Sequence, residues 1–381
     1  MPIETIGFGS MTRNPDRGNF VSEWFGYRTY PDVHGGKDAL RAQNAAQCPF
    51  LTTATREKRE CVKNASSSGV CSINNASNGV RQDWLVCPYR ALDADMIEDV
   101  VRRLFRATPD QRLLVVPAPT LANHAVRKKI VNDVHHGALA VVYLQNKLGG
   151  EISISATDRS PELSFDMTLV ELTAADHGLA DVGRFGVLEL QTMDFHGSYR
   201  HAVKNLKDAL RLHGPDFADA LHNNQRWLAD RIEGPNIANV FKRTFYQMML
   251  KFQLGLHPRS VGTALAIPQA VWDSWQPHLG RPRLVPQANG THALPGPATR
   301  DKDVNAWIYI FDIDAASDVQ PNPIVVRREI ATSAASIAYH ALQEVPAHAF
   351  SEAGNADTIV NAIHRRLAAW WPELESPREA P

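Results

Sequence analysis

The 381-residue chain is poor in cysteine, in long apolar runs and in net charge. Its four cysteines, Cys48, Cys61, Cys71 and Cys87, fall within 40 positions, and the 294 residues that follow contain none. A secreted disulfide scaffold is not expected, because a chain of this length can bury a full core without covalent staples. The longest clean apolar run, Ala138 to Leu144, is far too short to span a bilayer, so no membrane partner is expected. The opening segment MPIETIGFGS lacks a basic region followed by a long apolar stretch, which argues against a signal peptide and for a cytoplasmic protein with reduced thiols. Lysine plus arginine (40) and aspartate plus glutamate (41) nearly cancel to −1, and that total alone gives no reason to expect a nucleic-acid partner.

What is present reads as a globular α/β chain, 44% hydrophobic and 21% charged. Residues 1–35 carry turn signals such as Asn14-Pro15-Asp16 and read as irregular, while 48–90 read as loops and short strands around the cysteines. Asp93 is a good N-cap for a helix whose apolar stripe is Ile97, Val100, Val101, Leu104 and Phe105. Leu113–Val116 reads as a buried strand, Thr120 as the cap of a further helix, and Ala138–Leu144 as another strand. Two strand-like segments follow, Leu163–Leu172 and Arg184–Phe195, joined by a polar link over Ala174–Gly183 that suggests adjacent strands. Residues 199–256 look mostly helical, Thr263–Ile267 and Trp307–Ile313 look like strands, and 277–297 reads as a long loop. Ile359, Ile363 and Leu367 suggest a final amphipathic helix before a charged tail. The expected organisation is an N-terminal metal-binding region over 1–92 and an α/β core over 93–381.

The near-zero total hides a segregation of charge. Residues 151–195 carry nine acids against Arg159 and Arg184, a net of −7, and residues 196–262 carry ten bases against five acids, a net of +5. Both blocks could be solvated faces. A carboxylate-lined metal site beside a basic surface would also fit, and that pairing suits a nuclease: carboxylates hold divalent cations and cationic side chains hold phosphates.

Asp166 lies in SFDMTLVEL, and Glu189 and Gln191 lie in VLELQT. Residues two apart on a strand share a face, so Glu189 and Gln191 point the same way. If the two segments are neighbouring strands, Asp166 can approach Glu189, and together they offer the oxygen ligands that Mg²⁺ prefers. On spacing alone this pattern recurs by chance, and Glu151 reads as a surface acid after Gly149-Gly150. The cysteine spacing lacks the paired knuckles of common zinc ribbons. Its clustering still favours one tetrahedral four-thiolate site over four unconnected core thiols, with zinc and iron both open.

Longer stretches carry more information. FVSEWFGYRTYPDV, CPFLTTA, DWLVCPYRALD, APTLANHAVR, KLGGEISISATDRSPELSFDMTL, GVLELQTMDFHGSYRHAV, EGPNIANVFKRTFYQM and GTALAIPQAVWDSW run in that order from Phe20 to Trp275, within a likeness that extends to about Asp314. In these the chain resembles the NotI family of type II restriction endonucleases, within the PD-(D/E)XK nuclease superfamily. The resemblance implies a mixed central sheet flanked by helices and a homodimer acting on palindromic double-stranded DNA. It implies Mg²⁺-dependent phosphodiester hydrolysis leaving 5′-phosphate ends, with GCGGCCGC as the site, and a protective DNA methyltransferase in the host. By motif, Asp166 and Glu189 become Mg²⁺ ligands, Gln191 stands where many such nucleases have lysine, and Glu151 becomes a further active-site acid. The four cysteines match the family's metal site, and the resemblance tips the metal from zinc to iron. Arg200, Lys204, Lys242, Arg243 and Lys251 become candidate DNA contacts, with Asp194, His196 and Gln247 as polar ones. The chain departs from the family in the Ala174–Gly183 link, over 212–232, before Phe20 and after residue 315.

Two other readings compete. A non-catalytic DNA-binding protein with a structural four-cysteine site would bind without cutting. A carboxylate-pair hydrolase such as a glycosidase would explain the acids but neither the basic block nor the cysteines.

Overall fold

A computed structural model describes residues 18–77, 80–175, 179–297, 306–351 and 355–371. Three of the sequence expectations fall wholly or partly outside the described residues: the irregular segment at 1–17, the middle of the polar link at 176–178, and the charged tail from 372.

The N-terminal stretch is more regular than its composition suggests. It holds β1 (Phe20–Trp24), β2 (Tyr27–Arg28), α1 (Lys37–Asn44), α2 (Pro49–Thr55), β3 (Val70–Ser77) and β4 (Val80–Leu85). The strands form a sheet in the order β2-β1-β3-β4. β1 is buried along its whole length, so FVSEW shows no alternation of polar and apolar residues. Its polar members are satisfied inside: Ser22 and Ser72 share a hydrogen bond of 2.9 Å, and the Ser72 hydroxyl lies 3.0 Å from Glu23.

The chain then alternates. α3 (Ala94–Phe105) starts where Asp93 accepts a hydrogen bond from the Met96 N–H, and it buries Met96, Ile97, Val100, Val101, Leu104 and Phe105. Each such side chain contributes roughly 2 kcal/mol of burial, and the cap about 1 kcal/mol more. β5 (Leu113–Pro117), α4 (His124–His135) and β6 (Leu139–Gln145) follow. Asn123 rather than Thr120 caps α4, its side chain accepting from the Ala125 N–H, while Thr120 sits in a preceding 3₁₀ turn. Next come β7 (Ile152–Ile154), β8 (Leu163–Phe165), β9 (Met167–Ala175), β10 (Leu179–Leu190), β11 (Phe195–Gly197), α5 (Arg200–His213), α6 (Phe217–Asn223), β12 (Ile232–Pro235) and α7 (Ile237–Lys251). β13 (Ser260–Pro268), α8 (Gln269–Trp275), β14 (Val285–Pro286), β15 (His292–Ala293), β16 (Ala306–Ile313), β17 (Ile324–Thr332), α9 (Ala334–Tyr339), α10 (Val345–Ser351) and α11 (Asn355–Ala368) complete the chain.

Nine strands form one mixed sheet in the order β14-β15-β17-β16-β13-β10-β9-β6-β5. β10, β13 and β16 run parallel at its centre, and β9 runs antiparallel between β10 and β6. The architecture is therefore α/β, a large mixed sheet flanked by helices. Period-two alternation divides the packing between the two faces. Ala264, Ala266, Tyr309 and Phe311 join the core that contains α3, whereas Leu265, Ile267, Ile308 and Ile310 join the one that contains α5, α7 and α8. The N-terminal sheet shares most of its interior with these cores, apart from a small cluster of Tyr27 with Ala39 and Ala42 of α1. Phe20, Trp24, Ile73 and Trp84 belong to the second core, and Cys71, Leu85 and Cys87 to the first. Among the described residues no helix is long and apolar enough to cross a membrane.

Candidate active site

β9 and β10 are antiparallel, with Met167 opposite Leu188. One step further along the register, Asp166 meets Glu189. The Leu190 N–H donates to Asp166 Oδ2 at 2.9 Å, and the Asp166 N–H reaches Glu189 Oε1 at 3.4 Å. The expected strand over 163–172 is thus split at Asp166 into β8 and β9, and that break lets the carboxylate turn toward its neighbour.

β7 and β8 form a hairpin in which Ile152 pairs with Phe165, so Glu151 and Asp166 are the next residues along their strands. Glu151 is exposed and accepts from the Ser164 hydroxyl at 3.1 Å. Register thus brings Glu151 toward the end of β10 that carries Glu189, although among the described residues no three acids stand close enough to hold a metal ion as placed.

Glu189 and Gln191 share the sheet face covered by α7. The Gln191 carbonyl lies 2.7 Å from the Thr244 hydroxyl, its amide donates to the Thr192 carbonyl, and its backbone N–H donates to Ala266 O at 3.1 Å. Lys251, the last residue of α7, places its ammonium against Glu189 Oε2 in an ion pair buried on both sides. Burial first, and then the charge of Asp166, push the Glu189 carboxyl up to about 8, against the pull of Lys251.

Lys251 is therefore not on an outer basic surface, where the sequence suggested it; its side chain is only 5% exposed. The signal missed was its position: it ends a helix whose other cations face outward, and its partner lies 62 residues away in sequence. Thr244 was also missed.

The other DNA-contact candidates lie nearby on the surface. Arg243 on α7 pairs with Asp194 at 2.9 Å, both half-exposed, and the Asn236 N–H donates to the Asp194 carbonyl at 2.8 Å. Lys242 is exposed and Gln247 partly so, and Tyr246 between them is 57% exposed. His196 is exposed on β11. On α5, Arg200 and Lys204 are exposed, with Lys204 paired to Asp208 at 2.6 Å. Lys207 and Arg211, which sequence reasoning did not single out, continue the same row at helical spacing and are exposed too.

The four cysteines line one small cavity, together with Phe25, Pro49, Lys63, Gly69 and Tyr89. Cys48 precedes α2 and Cys87 precedes a 3₁₀ turn over Pro88–Ala91. Backbone N–H groups of Leu51 and Phe50 pull the Cys48 thiol down, and those of Tyr89 and Arg90 do the same for Cys87. Burial outweighs this and pushes Cys48 up to about 12, with Cys71 and Cys87 raised as well. The Lys63 ammonium donates to the carbonyls of Val70 and Val86, the residues just before Cys71 and Cys87, at 2.7 and 2.8 Å. Tyr89 joins the two regions: burial, and then the charges of Cys87 and Glu151, push its phenol up to about 12. Among the described residues, no three histidine, cysteine, aspartate or glutamate side chains stand close enough to hold a metal ion as placed. The chemistry of the four sulfurs, which line one cavity with N–H donors aimed at three of them, nonetheless suits a thiophilic metal.

No protein-family model matches the chain, and no curated protein matches it.

Proposed function

We propose that the chain is a Mg²⁺-dependent type II restriction endonuclease with a PD-(D/E)XK core, cutting double-stranded DNA at a G·C-rich palindrome, GCGGCCGC by resemblance. The observation that carries the reading is the junction of half-buried Asp166 with buried Glu189, tied by hydrogen bonds at 2.9 and 3.4 Å through the main chain of neighbouring strands. Asp166 and Glu189 would hold Mg²⁺, with Glu151 as the third acid. When bound, the metal supplies a water of lowered pKa and charge stabilisation at the phosphoryl oxygens. The remaining work falls to the chain. The main-chain bonds fix the two carboxylates, Thr244 fixes the Gln191 amide, and that amide orients by hydrogen bonding because it cannot take or give a charge.

The exposed cations of α5 and α7 would lie along the phosphodiester backbone, with base reading by Arg or Lys on guanine. A palindromic target fits a homodimer, whose two-fold axis matches that of the DNA. A host carrying this activity needs a DNA methyltransferase that protects the same site. The four cysteines would form a structural iron site, with zinc as the alternative, in a region that otherwise relies on the shared cores.

Digestion of a plasmid carrying one GCGGCCGC, with Mg²⁺ or with chelator, tests the reading. The expected result is Mg²⁺-dependent linearisation at one position with 5′-phosphate ends, absent in Glu189→Ala, which still binds the duplex. Intact plasmid with wild-type protein and Mg²⁺, across plasmids of varied sequence, would overturn it.

A further inference from the structure

We propose that Lys251 is the catalytic cation of this site, delivered from α7 to the place where strand position 191 offers none. The inference rests on the nuclease reading above and concerns which side chain meets the scissile phosphate.

Hydrolysis of a phosphodiester brings an anion to a site that already holds Asp166, Glu189 and Glu151. Gln191 cannot offset that charge. Its amide is neutral, and both its ends are engaged, by the Thr244 hydroxyl and the Thr192 carbonyl. Lys251 can. Its ammonium stands against Glu189 Oε2, and its stem is held by the last turn of a 15-residue helix, where the helix dipole favours a cation. The backbone is fixed too, since the buried Thr263 hydroxyl of β13 donates to the Lys251 carbonyl at 3.0 Å. An ammonium carries three N–H donors. Among the described residues Lys251 uses one, on Glu189, and two are left for substrate oxygens.

Stability alone does not explain the pair. A buried ion pair is often no more stabilising than apolar side chains of similar volume, because desolvation cancels its attraction. The ammonium also lies over the Phe165 ring, 5.8 Å from its centroid. Apolar side chains in place of both partners would serve the fold at least as well.

In the reaction, a water oxygen forms a bond to phosphorus as the bond from phosphorus to the 3′ oxygen breaks. The attacking water gives up its proton to solvent and the 3′ oxygen gains one. Lys251 neither takes nor gives a proton in this step and donates hydrogen bonds to a non-bridging oxygen as charge builds there.

The test moves the amine rather than only removing it. Wild type, Lys251→Met, Gln191→Lys and the double variant are compared in single-turnover cutting of a GCGGCCGC duplex with Mg²⁺. Duplex affinity in Ca²⁺ and the thermal midpoint without added metal are measured beside it. Lys251→Met is expected to slow cutting by about 100-fold or more, the loss typical of one preorganised charge-stabilising donor. Affinity should hold near wild type, while the midpoint should fall, because Lys251→Met leaves Glu189 buried without its partner. The double variant, with its amine at strand position 191, should recover at least about 10-fold of that rate. If Lys251→Met does not fold, Lys251→Gln, which keeps an N–H on Glu189 without the charge, carries the same expectations. An unchanged cutting rate in the single variant overturns the proposal. So does a loss that the relocated amine does not restore, which marks Lys251 as a structural partner of Glu189. Failure of wild type to cut is read separately and overturns the nuclease reading itself.

Discussion

Asp166 and Glu189 hold each other through the main chain: the N–H of Asp166 reaches Glu189 Oε1 at 3.4 Å, and the residue after Glu189 donates back to Asp166 Oδ2 at 2.9 Å. Burial, and then the charge of Asp166, push the Glu189 carboxyl up to about 8 from an ordinary 4.5. In metal-free protein the folded state then keeps a proton that the unfolded state loses across that window. Folding binds the extra proton, so stability falls as pH rises from about 4.5 to about 8, by at most ~1.4 kcal/mol per pH unit. Urea unfolding of chelator-treated protein at pH 5, 6, 7 and 8 should show wild type losing stability relative to Glu189→Gln. Parallel curves for the two proteins would mean that Glu189 is ionised in the fold throughout.

Gln191 makes a prediction of a different kind, because its partner has another option. The Thr244 hydroxyl also lies 2.8 Å from the Val240 carbonyl. Gln191→Ala therefore leaves no orphaned donor on Thr244, and its stability should stay within about 1 kcal/mol of wild type. If the amide orients water or phosphate, cutting slows by about 10-fold at unchanged duplex affinity, a loss of ~1.4 kcal/mol in transition-state binding. Gln191→Ala cutting at the full rate would remove it from the active site.

Much of the fold was legible where pattern and packing agree. Asp93 and its apolar stripe gave α3 to within a residue, and the strands over 113–116 and 138–144 lie inside or next to β5 and β6. The reading failed where polar residues are buried or charges cross a strand. β1 hides Ser22 and Glu23 in its interior. β17 carries Arg327, Arg328 and Glu329 in its middle, and Glu329 is held there by Arg103 of α3 at 2.7 Å, a contact invisible in the local pattern. The loop expected over 277–297 contains β14 and β15, whose two-residue pairings are too short to leave a period. At the candidate site, strand periodicity puts Glu189 and Gln191 on one face and adjacency brings in Asp166, but that pattern recurs by chance, and it was the family resemblance that singled these residues out. The burial of Lys251 was not legible because it depends on a tertiary contact with Glu189 and not on its neighbours in sequence.

Arg243 tests the outer face of α7. It is half-exposed and held toward Asp194, so its guanidinium is positioned yet available. Arg243→Ala should weaken duplex binding uniformly and lower the slope of log affinity against log salt by about 1. Filter binding between about 50 and 200 mM salt reads both quantities. Unchanged affinity and slope would place the DNA elsewhere, and the row Arg200, Lys204, Lys207 and Arg211 on α5 would be the next surface to probe.

The cysteine cavity predicts how a metal leaves. Burial pushes the Cys48 thiol up to about 12 and raises Cys71 and Cys87, so metal-free protein holds neutral thiols near pH 7. Binding a metal as thiolate must release protons, and affinity then rises with pH. Purified protein should contain about one iron or zinc per chain, and a chelator should strip it faster at pH 6 than at pH 8. Cys48→Ser should lower both the metal content and the thermal midpoint. Metal-free wild-type protein with the same midpoint as freshly purified protein would show four core thiols and no structural metal.

Glu23 and Arg90 join the N-terminal sheet to the turn that carries Cys87. The guanidinium Nε lies 3.2 and 3.0 Å from the two carboxylate oxygens, Nη2 lies 3.0 Å from Oε1, and the pair is 0% and 2% exposed at Glu23 and Arg90. Arg90 also donates to the Asn322 carbonyl at 2.6 Å and lies over the Phe50 ring at 4.9 Å. Removing one partner strands a buried charge, so Glu23→Leu and Arg90→Met should each cost about 3–5 kcal/mol. The double variant, which removes both charges, should recover most of that loss. Urea unfolding of the four proteins forms the cycle. If the double variant is as unstable as the sum of the singles, the two side chains act independently, and the geometry that joins them contributes nothing to the fold.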